Sequence, residues 1–416
     1  MARMWFYNIP YHGHVNPTLP LIRELVRRGD QVTYFSSPPF ADRITATGAT
    51  FRAYRNSTAL EQSRQDTHTA YVGGLVAEAT YGLLPEVLSS VEKEHPDYLM
   101  FDMSAPWGGI ASRRFDIPAV TSFPHFPFYW RTVVNDRRVF RKMLNSIRAG
   151  SGYWRRLLRL TGKIVRDFNL RKVQDINLLS SSAETNIMFT SRYFQPYEKK
   201  FDDSYLYIGP TIETDRREEE MEISRQAGQR LIYIAVGTVY KANLPFFRDC
   251  LQAFDDRRYA VILSVGRAVD PAVLKPFPQN FTVAQYVPQL SVLQEADLFI
   301  THGGMNSIAE SISYGVPMIV VPYPHAAAHQ RANAAEMVDA GAAELVDDED
   351  LDGDTLRAAC DLLFDEERAT MSAAARKVGR PGAAAASALL LEALAARGPL
   401  PSQAQLDELT RGSGAS

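Results

Sequence analysis

Short apolar runs alternate along this chain with segments in which apolar residues recur every three or four positions, the pattern of buried strands followed by amphipathic helices. Met4–Ile9 reads as a strand. A helix over Pro17–Arg28 follows, with Asn16 as its cap, Pro17 at its first position and Leu21, Ile22, Leu25 and Val26 on its apolar face. Gln31–Ser36, Pro96–Phe101 (ended by Asp102) and Ala119–Phe123 read as further strands, so the first half is α/β with a mostly parallel sheet. Around Thr211–Arg230 the pattern lapses into a Glu-rich stretch, and then it resumes. Strands are predicted at Leu231–Val236, Ala260–Val265, Phe281–Val287, Leu298–Thr301 and Pro317–Val321, and helices at Leu244–Phe254, Met305–Tyr314 and His329–Asp339. Two Rossmann-like α/β domains facing across a cleft are the architecture this implies. The boundaries fall at 1–215 for the N-terminal domain, 216–229 for a linker and 230–380 for the C-terminal domain. The remainder, 381–416, is a terminal helix and tail, weakly ordered from Gly398 onward.

Composition narrows the picture. The chain has 416 residues, 46% of them hydrophobic, enough for two ordinary domains. Lys and Arg total 45 against 48 Asp and Glu, which gives no overall electrostatic drive toward nucleic acid. The two cysteines, Cys250 and Cys360, are far apart and lack partners at metal-ligand spacing, so neither a disulfide framework nor a zinc site is expected. The apolar start is too short for a signal-peptide core, and Ala383–Ala396 is too short to span a bilayer, so a cytoplasmic chain without a transmembrane segment is expected. One stretch stands apart: Arg131–Asp175 has an excess of about ten basic residues over acidic ones. Trp154, Leu157, Leu158, Val165 and Phe168 fall near one helical face there, and Arg155, Arg159, Lys163 and Arg166 project elsewhere. Such a helix packs on the N-terminal domain with its basic face in water, or makes a weak contact with an anionic acceptor or a membrane surface.

Two segments carry candidate chemistry. In Tyr11-His12-Gly13-His14-Val15-Asn16-Pro17 the histidines lie between the first strand and the first helix, where α/β sheets place ligands. An imidazole there suits a general base at neutral pH, and Asp102, which reaches the same sheet edge if the two strands are parallel neighbours, would then either orient the ring or serve as a helix cap or loop hydrogen bond. One glycine, Gly13, is too few for a dinucleotide fingerprint, which argues against a nicotinamide enzyme. The second segment runs from Tyr286-Val287-Pro288-Gln289 through His302-Gly303-Gly304-Met305-Asn306-Ser307 and Glu310 to His329-Gln330 and Asn333. Gly303 and Gly304 let a ligand approach the start of a helix whose N–H groups and dipole favour anions. His302, Asn306 and Ser307 add donors, Glu310 can accept from ribose hydroxyls, and Tyr286 offers a flat face to a base. Thr238, after the strand that opens the second half, can join the phosphates. Asp348-Glu-Asp350-Leu-Asp352-Gly353 matches the first positions of a calcium loop, but Ala359 stands where the bidentate Glu should be, so a solvated turn capping the next helix is expected.

With these residues in view, the chain resembles the family 1 glycosyltransferases of GT-B fold, particularly the bacterial macrolide and natural-product type. The resemblance extends from Met4 to about Ala396 and is most specific over Tyr286–Asn333. It implies His14 as the base that deprotonates the acceptor hydroxyl and Asp102 as its orienter. It also implies stacking of uracil on Tyr286, with Val287 beside it, ribose contacts from Gln289 and Glu310, and diphosphate contacts from His302, Gly304, Asn306, Ser307 and Thr238. The family usually has an Asp-Gln pair on the sugar hydroxyls. Here the pair is His329-Gln330, after a longer loop, Tyr323 to Ala328, whose spacing is similar to the donor loop of the bacterial enzyme that adds N-acetylglucosamine to the lipid-linked cell-wall precursor. Phe123, His125, Phe128 and Tyr129 are expected to line the acceptor pocket. The implied reaction is inverting transfer of a hexose from a UDP-sugar, glucose first and N-acetylglucosamine second, to a hydroxyl of a hydrophobic small molecule. It needs no metal and no cofactor, the UDP-sugar being a co-substrate, in a monomer or homodimer. A GT-B-like sugar-nucleotide epimerase and a non-catalytic sugar-nucleotide-binding protein are the alternatives.

Overall fold

The computed structural model describes residues 1–55, 69–124, 127, 151–170, 178, 180–190, 192, 195, 201–211, 221–236, 244–266, 268–322, 329–347 and 351–411. Two compact units emerge: Met1–Thr211 together with Gly382–Ser416, and Ile212–Pro381.

The first unit is built on a seven-stranded sheet of order β3-β2-β1-β4-β5-β6-β7. Its strands are β1 (Arg3–Tyr7), β2 (Gln31–Ser36), β3 (Thr50–Ala53), β4 (Tyr98–Asp102), β5 (Ala119–Phe123), β6 (Thr185–Met188) and β7 (Tyr205–Tyr207). Every pairing is parallel. Parallel strands need crossover helices, which cover both faces, and this is why β1 and β4 read as continuous apolar runs rather than alternating ones. On one face Met4, Phe6, Tyr34 and Met100 pack against Leu21, Ile22 and Leu25 of the Leu19–Arg27 helix. On the other, Trp5, Tyr7, Phe101 and Trp107 pack against Leu83, Leu84 and Val87 of the long Thr69–Glu94 helix.

The second unit has a six-stranded sheet, β10-β9-β8-β11-β12-β13. Its strands are β8 (Arg230–Ala235), β9 (Tyr259–Ser264), β10 (Phe281–Ala284), β11 (Leu298–Thr301), β12 (Met318–Val320) and β13 (Ala343–Leu345), again all parallel. Helices Leu244–Ala253, Gln289–Glu295, Met305–Tyr314 and His329–Asp339 lie between them, and Gly353–Leu362 follows the last strand. Asp352 caps the last of these by accepting from the Thr355 N–H at 2.7 Å; Asp348 and Asp350 lie outside the described residues.

Three local expectations need correction. The chain after β1 is already helical over His12–Val15 and continues through a 3-10 turn, Asn16–Thr18. Asn16 therefore sits at φ −54°, ψ −46° within the helical path and caps nothing. In the basic helix, Ser151–Asp167, the buried stripe is Leu157, Thr161 and Ile164, and Leu158 is 68% exposed. One residue is a 100° step, so the stripe that starts at 157 carries 158 away from the Thr69–Glu94 helix. Arg155, Arg159, Lys163 and Arg166 lie outside that stripe, with Lys163 Nζ 4.1 Å from the Tyr81 ring centroid and Arg156 paired to Glu78 at 2.5 Å. Finally, the chain is ordered past Gly398, as far as Arg411. Helix Ala383–Ala395 and a second helix, Gln403–Arg411, place Leu390, Leu391 and Leu406 in the core of the first unit. Among the described residues no helix is long and apolar enough to cross a membrane.

Candidate functional site

In each sheet the strand order reverses at one place: β1 between β2 and β4, and β8 between β9 and β11. The connections there leave in opposite directions and open a crevice at the carboxyl ends of the strands. Both candidate segments lie at such points.

In the first unit, the register Tyr7↔Phe101 brings the end of β1 level with the end of β4. Asp102, completely buried, ends β4, and its Oδ2 lies 2.8 Å from His14 Nδ1. Its Oδ1 accepts the Ser104 N–H at 2.8 Å. A carboxylate so held accepts a hydrogen from Nδ1, which selects the tautomer in which Nε2 is the basic nitrogen. The His14 side chain keeps 15% exposure, so the ring is enclosed yet reachable. The turn that carries it is tied down by its backbone: His14 and Val15 N–H both donate to Tyr11 C=O at 2.9 Å. Arg43 Nη1 lies 3.4 Å from His12 Nδ1, which puts the first histidine of the pair on a different errand from the second.

The expected acceptor lining fares differently. Phe123 is fully buried on β5, packed with Met103, Met188 and Tyr207. The reason is that β5 is covered on both faces. His125, Phe128 and Tyr129 lie outside the described residues.

In the second unit, β11 ends at Thr301 and the chain turns through His302-Gly303-Gly304 into the Met305–Tyr314 helix. Gly303 has φ +83°, and a Cβ there would lie 2.9 Å from Val320 Cγ1 and 3.0 Å from the Gln330 carbonyl oxygen, so only glycine fits. The buried Asn333 side chain locks this turn by donating to Gly303 C=O at 2.9 Å. Gly304 is the helix N-cap and supplies no side-chain acceptor; the first intrahelical bond is Ile308 N–H to Gly304 C=O. The N–H groups of Met305, Asn306 and Ser307 therefore lack an intrahelical acceptor, as at every helix start, and the absence of a Cβ at Gly304 keeps that start open to an anion. The His302 ring folds over it, since a Cβ on Gly304 would come within 2.7 Å of Nε2.

Glu310, one turn further on, accepts from Gln289 Nε2 at 2.5 Å, and Gln289 Oε1 accepts from Tyr233 Oη at 3.2 Å. The two residues expected at a ribose are thus already joined and braced. Tyr233 was not visible as part of this site because it sits inside an apolar strand. Tyr286 is 61% exposed, as a stacking face requires, whereas Val287 is 3% exposed and has only its main chain to offer. Gln330 is placed beside the Gly303 turn at the start of the His329–Asp339 helix. The His329 side chain and Thr238 lie outside what is described.

Comparison with known proteins agrees with this geometry. The profile of the Glycosyltransferase family 28 C-terminal domain matches residues 231–387. The chain is 32% identical over 327 residues to NDP-glycosyltransferase YjiC of Bacillus licheniformis, covering 76% of this chain and 78% of that one. It is 28% identical over 377 residues to oleandomycin glycosyltransferase of Streptomyces antibioticus, covering 88% and 84%. The crystal structure of the glycotransferase of kitacinnamycin superposes with a TM-score of 0.78 at 29% identity, covering 96% of this chain and 99% of that one. With its two parallel-sheet α/β units and a glycine turn at the switch point of the second, this chain belongs to the family 1 glycosyltransferases of GT-B fold, in the bacterial natural-product group.

Proposed function

We propose that this glycosyltransferase moves a hexose from a UDP-sugar to a hydroxyl of a largely apolar small molecule of the macrolide, polyketide or phenolic class, with inversion. The observation that carries the reading is the 2.8 Å pair between His14 Nδ1 and the buried carboxylate of Asp102. His14 Nε2 takes the acceptor proton as its oxygen attacks the anomeric carbon, and Asp102 offsets the charge of the imidazolium. The bond from that carbon to the diphosphate breaks in the same displacement, and its electrons leave with UDP. The open helix start at Gly304–Ser307, with His302 over it, receives that charge. The same donors make a metal unnecessary for the leaving group. Tyr286 stacks on the base and Glu310 accepts from the ribose. The named relatives, oleandomycin glycosyltransferase among them, support the acceptor class.

Where the family carries an aspartate for the sugar hydroxyls this chain has His329, a bulkier group that can donate or accept. We therefore expect UDP-glucose to serve with only weak preference over UDP-N-acetylglucosamine. The test is a mass-spectrometric screen of UDP- and dTDP-sugars against polyketide and phenolic acceptors, with and without EDTA. A glycoside formed from UDP-glucose, insensitive to EDTA, is expected, and His329→Asp should move kcat/KM toward glucose. Hydrolysis or epimerisation of the donor with no acceptor product would overturn the transferase assignment for these donors, exclusive use of dTDP-sugars the choice of nucleotide, and loss of activity in EDTA restored by Mg²⁺ the metal-free step.

A further inference from the structure

Behind the His14 turn lies a chain of buried polar side chains. Asn8 follows β1, Tyr34 is on β2 and Thr18 ends the 3-10 turn; all three are completely buried. Asn8 Nδ2 donates to the His14 carbonyl at 3.0 Å and to Tyr34 Oη at 2.6 Å. Tyr34 Oη lies 2.8 Å from Thr18 Oγ1, which in turn donates to the Val15 carbonyl at 2.7 Å.

The direction of every bond follows from chemistry. The Val15 carbonyl can only accept, so the Thr18 hydrogen is spent there and Thr18 Oγ1 accepts from Tyr34. Tyr34 Oη, having given its hydrogen away, accepts from Asn8. The His14 carbonyl can likewise only accept, so it is the amide nitrogen of Asn8 that faces both His14 and Tyr34, and its Oδ1 is left buried with no hydrogen-bond partner among the described residues. Leaving such an acceptor unsatisfied costs stability. The whole set is thus one directed chain, from Asn8 through Tyr34 and Thr18, that ends on two successive carbonyls, those of His14 and Val15.

We propose that Asn8, Tyr34 and Thr18 are positioning residues for catalysis: they fix the two peptide planes that follow His14 and so fix where its Nε2 meets the acceptor hydroxyl. This inference rests on the reading of His14 as the base. Asp102 holds the ring itself through Nδ1, and the buried chain holds the backbone from which the ring hangs. With either support loosened the ring can shift by a fraction of an ångström, and proton transfer is sensitive to that distance.

The experiment uses Tyr34→Phe, Thr18→Val and Thr18→Ser in the full chain, with thermal melts and UDP binding as controls. Each is assayed with an aliphatic-alcohol acceptor, which needs a base, and with an acidic nitrophenol, which arrives ionised and needs none. Phe and Val keep the shape and remove the hydroxyl, whereas Ser retains it. Tyr34→Phe and Thr18→Val should lower kcat for the alcohol by on the order of 10–100-fold. They should spare the nitrophenol, leave KM for the donor unchanged and cost no more together than apart, because they break one chain. Thr18→Ser should behave as the wild type. An equal loss with both acceptors, a rise in donor KM at constant kcat, or losses that multiply in the double variant would overturn the proposal. His14→Ala in the same assay separates the two readings. If it also fails to distinguish the acceptors, the base assignment is what has failed; if it does distinguish them and Tyr34→Phe does not, only the positioning role is lost.

Discussion

Replacing His14 by Ala removes the basic nitrogen and leaves the second unit's nucleotide residues untouched. Turnover with an alcohol acceptor should therefore fall by on the order of 10²–10⁴-fold while calorimetric UDP binding stays as it was. Near-normal turnover would end the assignment. Asp102→Asn is informative because Asp102 Oδ1 is already occupied by the Ser104 N–H. An amide must keep its oxygen there, and so turns its NH2 toward His14 Nδ1, which forces the ring hydrogen onto Nε2 and blocks the base. The loss should match that of His14→Ala within about tenfold, and retention of activity would mean that Asp102 does not select the tautomer. In the other unit, Glu310→Ala unseats Gln289, its 2.5 Å partner, and removes the proposed ribose acceptor, whose contact would be made alike in ground and transition states. Donor KM should rise much more than kcat falls, and equal losses in both would give Glu310 another task.

At the scale of elements, two short devices shape the sheets. The Gly303 turn combines φ +83° with a backbone approach that leaves no room for a methyl group. Gly303→Ala should cost about 1–3 kcal/mol and weaken nucleotide binding, because the strain is released by moving either the His329–Asp339 helix or the helix start itself. A variant with wild-type melting and binding would show that the turn tolerates a side chain. The second device guards an edge. β7 is the last strand of its sheet, and the Gln403 carboxamide pairs with it as a strand would: Oε1 accepts the Tyr207 N–H and Nε2 donates to the Tyr207 C=O, both at 2.8 Å. Such an edge is a template for association when uncovered. Gln403→Ala should lower stability by about 1–2 kcal/mol and raise light scattering on heating, and an unchanged melt would deny the pairing any weight.

On the scale of the whole molecule, the chain crosses from the first unit to the second and then returns. Leu390, Leu391 and Leu406 share a core with Met4, Phe6 and Leu25, and Gly382, at the return, sits so close to the Leu409 carbonyl that a Cβ would come within 2.2 Å of it. A buried leucine is worth about 1.5–3 kcal/mol, so removing three of them approaches the whole margin of a domain. All four tryptophans, Trp5, Trp107, Trp130 and Trp154, precede residue 211. Tryptophan fluorescence therefore reports the first unit alone. A chain ending at Pro381 should lose its fluorescence transition or melt far lower, while UDP still binds to the second unit. An unchanged fluorescence melt would mean that the returning helices are ornament.

What the sequence determined by itself is what neighbours along the chain can enforce. Apolar runs and 3.6-residue periodicity placed most strands of both units and four of their helices, those at Leu19–Arg27, Leu244–Ala253, Met305–Tyr314 and His329–Asp339, within two or three residues, and left others, the long Thr69–Glu94 helix among them, unmarked. The Gly303-Gly304 turn was legible because few backbones other than glycine can open a helix so close to a neighbouring strand. Local pattern fails where the deciding contact is remote. Asp102, 88 positions from His14, could be paired with it only on the condition that β1 and β4 are parallel neighbours, and Tyr34, 26 positions from Asn8, carried no signal at all until the sheet set β4 and β2 on either side of β1. Asn8 stood in the sequence as one polar residue after an apolar strand, and only the fold shows what it holds. Leu158 was misplaced, and the burial of Phe123 was not foreseen, for the same reason. Which stripe of an amphipathic helix is buried, and whether a strand is covered on its second face, depends on what packs there, and the Thr69–Glu94 helix and the neighbours of β5 decide it. The returning C-terminal helices are the largest case: an Ala- and Leu-rich tail can cover any apolar surface it reaches, and tertiary packing alone chose the first unit.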